Sequence, residues 1–324
     1  MRLSFSREPL PPQVRALEPW RDGRQLAALI EVAFSRDEIG VGGARMIELL
    51  RSYGQYEPMM FGMGTSYVWI EDGRLVGNAS IQRNPTRLDT WIIGNVATDP
   101  SHRRKGVARA VIEACVRHAR ARGARQIALL VDQDNAAARR LYESLGFDEF
   151  GMTTYYLRDA VRDMPVTHAQ GDPQTRLARW SDHRAVWELT RSTITEEYTY
   201  AEPFDASLYQ LGLLWSLRNF FGGGRESWLV LEDTLSGGLV GAGRAHIGRD
   251  EPHHHLELML GPHGNVMEGE ALMQSALHAM SVRELMPMPI AAAQSHTNMA
   301  AMESLESAGF QPRRVLLHMK RCYW

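Results

Sequence analysis

Cysteine, net charge and long apolar runs are all scarce in this 324-residue chain. Its two cysteines, Cys115 and Cys322, lack the paired spacing of a metal site or a disulfide framework, so a reduced, cytoplasmic setting is expected. Lys and Arg total 36 against 38 Asp and Glu, a formal net charge of −2. No global positive field draws nucleic acid or an anionic membrane, and any anion site has to be local. No apolar run approaches the roughly 18 residues of a membrane span. The opening MRLSFSREPLPP lacks the apolar core of a signal peptide, so none is expected. Nucleic acid and membrane are therefore not expected as partners. Hydrophobic residues make up 44% and charged residues 23%, as in ordinary globular proteins, and the length suits about two domains.

Elements alternate along the first half. QVRALEPWRDGRQLAALIEVAFS predicts a short strand and a helix with Asp22 near its start, and ARMIELLRSYG a second helix. SYVWIEDGRLVGNASIQ holds two β-rich runs around the turn signal Asp72-Gly73. TWIIGNVATDP is a strand stopped by Pro100. GVARAVIEACVRHARARG places Val107, Val111 and Ala114 at helical spacing, with Ala110 and Cys115 flanking, and Gly123 ends the helix. QIALLVD is a buried strand, NAAARRLYESLGF a short helix between Asn135 and Gly146, and DEFGMTTYYLRD a last strand.

A polar stretch with Gly and two prolines, RDMPVTHAQGDPQ, then interrupts the pattern, and the chain repeats itself. PWRDGR is echoed by RWSDHR, which aligns Trp20 with Trp180 and Asp22 with Asp182. NAAARRLYESLGF is echoed by NMAAMESLESAGF at an offset of 163, from Asn135 to Asn298. The same offset takes Gly106 to Gly269 and Ala108 to Ala271. A register kept across two motifs indicates tandem duplication of one fold. The expected domains are residues 1–162 and 175–324, with 163–174 as linker.

The chemistry concentrates at SHRRKGVARAVI, where Arg103, Arg104 and Lys105 run into Gly106 at the mouth of a helix. The helix dipole disfavours cations there, so a bound anion is the natural explanation. Unpaired N–H groups of the first turn form an anion site, and Gly106 and Ala108 let a phosphate approach the backbone. A solvated basic turn is the plain alternative. A P-loop is excluded because no Gly-Lys-Ser/Thr order occurs, and a dinucleotide fold because no Gly-x-Gly-x-x-Gly follows the first strand.

NVATDPSHRRKGVARAV, with Arg103-x-x-Gly106-x-Ala108, resembles motif A of the GNAT superfamily of N-acetyltransferases, and LLVDQDNAAARRLYESLGF is similar to the family's next segment. The resemblance covers the first half well and the second weakly. It implies an α/β fold of two tandem GNAT-like domains, each a mostly antiparallel mixed sheet flanked by helices. It implies acetyl-CoA as co-substrate, with no metal. Amides from Arg103 through Arg104, Lys105, Gly106, Val107 and Ala108 to Arg109 would hold its pyrophosphate. The backbone of Val96, Ala97 and Thr98 would pair with the pantetheine arm, and a Val96 or Ala97 amide would face the thioester oxygen. Asn135 would contact the arm or cap its helix. Tyr142 is the implied general acid, since a phenol of pKa about 10 stays protonated at neutral pH and can reprotonate the leaving thiolate. Half-buried packing is the competing role for Tyr142. The base is open among Glu31, Asp37, Glu38 and a water chain.

In the second copy, Arg103, Lys105, Val107 and Tyr142 correspond to Val266, Glu268, Glu270 and Leu305. Both cations are lost, two acids flank Gly269 where a pyrophosphate would sit, and the phenol is gone, so this copy is expected to be degenerate and non-catalytic. EPHHHLEL does not make a metal site, because neighbouring strand residues face opposite sides; imidazoles on an exposed strand face are expected. The methionines of this half, Met259, Met267, Met273, Met280, Met286 and Met288, are expected as core filling. The expected activity is transfer of an acetyl group to a primary amine of a small molecule or peptide by a monomer or homodimer. The alternative is a non-catalytic acyl-CoA sensor or interaction protein.

Overall fold

The computed structural model describes residues 9–34, 65–160, 175–194, 198–201, 209, 211, 226–233, 238–247, 253–281 and 288–323. They fall into two compact units. One comprises Met1–Phe150, Tyr200–Pro203 and His318–Trp324, the other Gly151–Thr199 and Phe204–Leu317. The expected second helix near residue 50, the linker, Asp37, Glu38 and Met286 lie outside the described residues.

The first unit opens with β1 (Val14–Ala16) and α1 (Pro19–Phe34). The hairpin of β2 (Thr65–Glu71) and β3 (Arg74–Arg83) turns at Asp72 and Gly73, both at positive φ, the geometry that suits the right-handed twist of a two-residue hairpin. Then come β4 (Thr90–Thr98), α2 (Val107–Ala121), β5 (Gln126–Asp132), α3 (Ala136–Ser144) and the start of β6 (Asp148–Arg158). Strands β1 to β4 pair antiparallel in order, and β5 joins β4 in parallel. Adjacent strand residues face opposite ways. Val68 accordingly packs with Leu26, Ile30 and Ala97 under α1, while Trp69 packs with Ala110 and Ala114 of α2. The sheet thus lies between the two helices. The apolar stripe expected on α2 is the buried one, and Cys115 sits in it fully buried, donating to the Ala79 carbonyl at 3.4 Å. Burial raises its thiol pKa, which leaves it a packing residue.

The second unit repeats the plan. It holds β7 (Thr175–Leu177), α4 (His183–Thr193), β8 (Glu226–Glu232), β9 (Leu239–His246), β10 (His254–Leu260), α5 (Val266–Ser281), β11 (Ile290–Ser295), α6 (Met299–Ser307) and most of β12 (Gln311–Cys322). Strands β7 to β10 pair antiparallel, and β11 joins β10 in parallel. The RWSDHR echo has a physical basis. Arg15 grips Asp22 with two hydrogen bonds of 2.6 and 2.8 Å, and Arg176 grips Asp182 with two of 2.7 and 3.0 Å. Each carboxylate also accepts a backbone N–H at the start of its helix, from Glu18 and from Arg179.

The final strands are exchanged between the repeats. From Thr153 to Arg158, β6 pairs antiparallel with β11 in the second unit. The last residues of the chain pack in the first unit: the Tyr323 N–H donates to the Arg125 carbonyl at 2.7 Å, Arg321 donates to the Leu145 carbonyl, and Arg120 lies 4.7 Å over the Tyr323 ring. The compact units therefore differ from a cut through residues 163–174.

Two expectations about the second half fail. His254 is buried, not on an exposed face, because it is the inward residue at the start of β10. Met267 is 80% exposed, because it occupies the first turn of α5 on the solvent side, whereas Met259, Met273 and Met280 are core residues.

Candidate functional site

The site begins where two parallel strands part. β4 and β5 pair from Thr90–Gln126 to Ile93–Leu129 and then stop, although β4 runs to Thr98 and β5 to Asp132. A bulge explains the parting. Between the pairs Ala97–Asn78 and Gly94–Ser80 the register of β3 and β4 shifts, and Asn95 takes the left-handed conformation at φ +50°. An extra residue in one strand bends it and increases its twist. Val96, Ala97 and Thr98 are left with an edge that has no strand partner on the β5 side among the described residues. One residue not singled out in the sequence secures this shape: the buried Asn78 side chain donates from Nδ2 to the Asn95 carbonyl at 2.8 Å.

The strand leads into the mouth of α2. Asp99 is a turn residue: its carboxylate accepts the Ser101 N–H and hydroxyl at 2.9 and 2.5 Å, and these bonds hold its pKa below the usual carboxylate range. Arg103, Arg104 and Lys105 follow, all exposed, with no hydrogen bond or ion pair among the described residues. Arg104 and Gly106 both adopt positive φ, +63° and +83°, and a side chain on Gly106 would meet only open space. No side chain caps α2. Its first amides thus open beside three unpaired cations, the composition of an anion site. Val107 is buried against Gly77 of β3, where a Cβ would overlap its side chain, and Ala108 is half-buried. Arg109 turns away, donating to Ser144 Oγ at 2.5 Å and approaching Glu113 at 3.8 Å. It ties α2 to α3 instead of facing the anion site.

On α3, Asn135 caps the helix by accepting the Ala138 N–H at 3.1 Å. Tyr142 is 5% exposed, deeper than the half-buried placement considered from sequence, and stands edge-on to Phe147 at 6.1 Å. Burial pushes its phenol pKa well above the ordinary value. Its hydroxyl has no hydrogen-bond partner among the described residues. Leu145 belongs to the core, while Leu141 is half-buried. Arg321 caps the far end of this helix through the Leu145 carbonyl. Of the candidate bases, Glu31 lies on the exposed side of α1.

The second unit closes each of these features. Its helix α5 starts at Val266, the counterpart of Arg103, so the basic loop of the first unit has become a helical turn. Asn265 and Glu268 cap it reciprocally: Asn265 Oδ1 accepts the Glu268 N–H at 3.0 Å and Glu268 Oε2 accepts the Asn265 N–H at 2.9 Å. Gly269 is inside the helix, and a Cβ there would overlap the side chain of Ser304. The strands β10 and β11 also stop pairing early, at Leu256–Ala292, but side chains bridge them: Gln294 donates to the Leu258 carbonyl at 3.2 Å and Asn298 to the Leu260 carbonyl at 3.3 Å. Leu305 fills the place of Tyr142 and is buried. Among the described residues no group of three or more His, Cys, Asp or Glu is placed to hold a metal.

Residues 25–147 match the model of the acetyltransferase (GNAT) family. The chain carries a GNAT acetyltransferase domain. Over 150 residues it is 35% identical to the mycothiol acetyltransferase of Thermobispora bispora, covering 45% of this chain and 50% of that protein. Over 62 residues it is 44% identical to the [ribosomal protein bS18]-alanine N-acetyltransferase of Escherichia coli, covering 19% and 42%. The chain thus spans about half the length, or less, of these curated relatives. Two solved structures share the fold over nearly all of both chains. A GCN5-related N-acetyltransferase from Sphaerobacter thermophilus superposes with a TM-score of 0.68 at 15% identity, covering 97% of each. A tandem GNAT protein from the clavulanic acid biosynthesis pathway superposes at 0.59 and 16%, covering 95% of this chain and 98% of that one. The mixed α/β architecture with a tandem GNAT plan is therefore established. No helix among the described residues is long and apolar enough to cross a membrane.

Proposed function

We propose that the first repeat, residues 1–162, is an acetyl-CoA-dependent N-acetyltransferase, and that residues 175–324, beyond the linker 163–174, form a non-catalytic GNAT-like copy. One observation carries this: the unpaired β4 edge at Val96–Thr98 runs straight into an uncapped helix mouth lined by three unpaired cations. An extended arm ending in phosphates fits that sequence of features, and acetyl-CoA brings to it an activated acyl group as a thioester.

The residues then divide the work. Amides from Gly106 to Arg109 hold the pyrophosphate, with Arg103, Arg104 and Lys105 supplying charge. Backbone groups of Val96 to Thr98 orient the arm. An amide of Val96 or Ala97 donates to the thioester oxygen as charge develops on it. Tyr142, kept protonated by burial, holds the proton that the departing thiolate takes. Asn135 serves as a helix cap, and Arg109 joins the two helices that carry the site. The attacking amine loses its proton to water or to the carboxylate of Glu31, Asp37 or Glu38. The relatives' names point to different substrate classes, one naming the small molecule mycothiol and the other a ribosomal-protein alanine, so both small-molecule and peptide amines belong in a screen.

The test is CoA release from acetyl-CoA by the full chain across such a screen, together with Tyr142→Phe. The substitution is expected to lower kcat by about 10²–10⁴-fold while acetyl-CoA affinity holds. Binding without turnover for any amine would instead favour the sensor reading.

A further inference from the structure

Asn78 is an anomaly in its surroundings. It is fully buried on β3, in a row with Val68 of β2 and Ala97 of β4, both members of the apolar layer under α1. A buried amide is retained in such a layer only if its hydrogen bonds justify it. Among the described residues the amide makes a single bond, from Nδ2 to the Asn95 carbonyl, and its buried Oδ1 has no hydrogen-bond partner. An unsatisfied buried acceptor costs stability, whereas an apolar residue of the same shape would be neutral or better. Asn95 is exposed, so water could satisfy its carbonyl without Asn78. Stability therefore does not explain the side chain.

Its one bond falls on the residue where β4 departs from regular pairing. Asn95 is the left-handed residue of the bulge, and its carbonyl belongs to the same peptide plane as the Val96 N–H. Peptide planarity means that fixing the carbonyl fixes the amide at its other end. We infer that Asn78 is a positioning residue for acyl transfer: by holding the Asn95 carbonyl from within the core, it orients the Val96 N–H toward the gap between β4 and β5. This rests on the acetyltransferase reading above and adds a residue on β3 that touches neither substrate. Without the anchor, the peptide can rotate toward water, and an oxyanion donor that has to be reoriented during reaction loses the advantage of being preset.

Asn78→Leu keeps the branched shape and removes the donor. Three quantities are read on the full chain: hydrogen exchange of the Asn95–Thr98 amides without ligand, acetyl-CoA affinity, and kcat with an amine that the wild type acetylates. Expected are faster exchange at these amides, a melting temperature equal to or above that of wild type, an unchanged affinity, and a kcat lower by about tenfold to a hundredfold. This is less than the roughly 10²–10³-fold of removing an oxyanion donor outright. Unchanged exchange overturns the anchoring. Faster exchange with unchanged kcat overturns the positioning role. A fall in melting temperature that matches the fall in kcat shows a merely structural residue and overturns it too. If Asn78→Leu does not fold, Asn78→Ser, too short to reach the Asn95 carbonyl, is read in the same way. A wild type that binds acetyl-CoA but turns over no amine defeats the acetyltransferase reading, and the positioning role with it; the exchange data still report whether the bulge is anchored.

Discussion

At the residue scale, burial sets what Tyr142 can do. Its phenol loses a proton only well above pH 10, so kcat is expected to stay flat on the alkaline side to about pH 10 if Tyr142 is the acid. A fall between pH 7 and 9 that persists in Tyr142→Phe would belong to another group. Gly106 stands at φ +83° with open space where a Cβ would go, so Gly106→Ala meets no clash but strains the backbone by about 1–2 kcal/mol. Acetyl-CoA affinity is expected to fall with it, as measured by titration. For Asp22, burial alone would raise the carboxyl pKa, but the Arg15 guanidinium and the Glu18 amide override it and hold the pKa below its ordinary value. A depressed pKa contributes stability above the unfolded value of about 3.9, and that stability is lost as pH falls through the folded value. Asp22→Asn should therefore lower the melting temperature at pH 7, and the difference from wild type should shrink between about pH 5 and pH 2. Most of these residues were legible in the sequence, because Gly, Asn and Tyr in motif positions signal their own local geometry. Asn78 was not, since an amide within GNAS looks like any outward polar residue until the register with Asn95 is known.

At the scale of elements, the site depends on how closely α2 approaches the sheet. Gly77 permits that approach, because any Cβ there would overlap Val107. Gly77→Ala is expected to cost about 1–3 kcal/mol through overpacking and to displace the first turn of α2. Acetyl-CoA affinity should then fall while the β2–β3 hairpin keeps its protection in hydrogen exchange. The second copy shows what a closed version looks like. A repeat register of 163 residues pairs Gly106 with Gly269, yet one glycine ends a loop at positive φ and the other is packed inside a helix. Like charge at Glu268 and Glu270 was the sequence argument for a dead copy. The structural contrast is larger: the helix begins at Val266, so the Gly269 N–H bonds to the Asn265 carbonyl at 3.1 Å, and the capping box Asn265-x-x-Glu268, legible as a helix start, takes the Glu268 N–H. The bridging by Gln294 and Asn298 could not be foreseen, because it needs the distance between two strands. The aligned tryptophans Trp20 and Trp180 are 70% and 72% exposed, and nothing in the packing explains their recurrence.

At the scale of the whole molecule, the repeats do not each complete themselves. Residues 318–324 belong with the first unit, where Arg321 caps the helix that carries Tyr142 and Tyr323 bonds to Arg125. Deleting them should lower the melting temperature of the first unit and reduce kcat, although they lie at the far end of the chain from Tyr142; calorimetry and the turnover assay measure the two effects. The exchange of strands was invisible in the sequence, because each strand keeps its own alternation whichever sheet it joins. The duplication itself was plain, since Asn-capped helices, Gly-Phe ends and the Trp-x-Asp segments recur in order. The two copies together make one quantitative demand: an open site in the first and a closed one in the second. Calorimetric titration of the full chain, stripped of any co-purified CoA, with acetyl-CoA tests it most directly. One site per chain is expected, abolished by neutralising Arg103, Arg104 and Lys105 together; two sites, or none in folded protein, would contradict it.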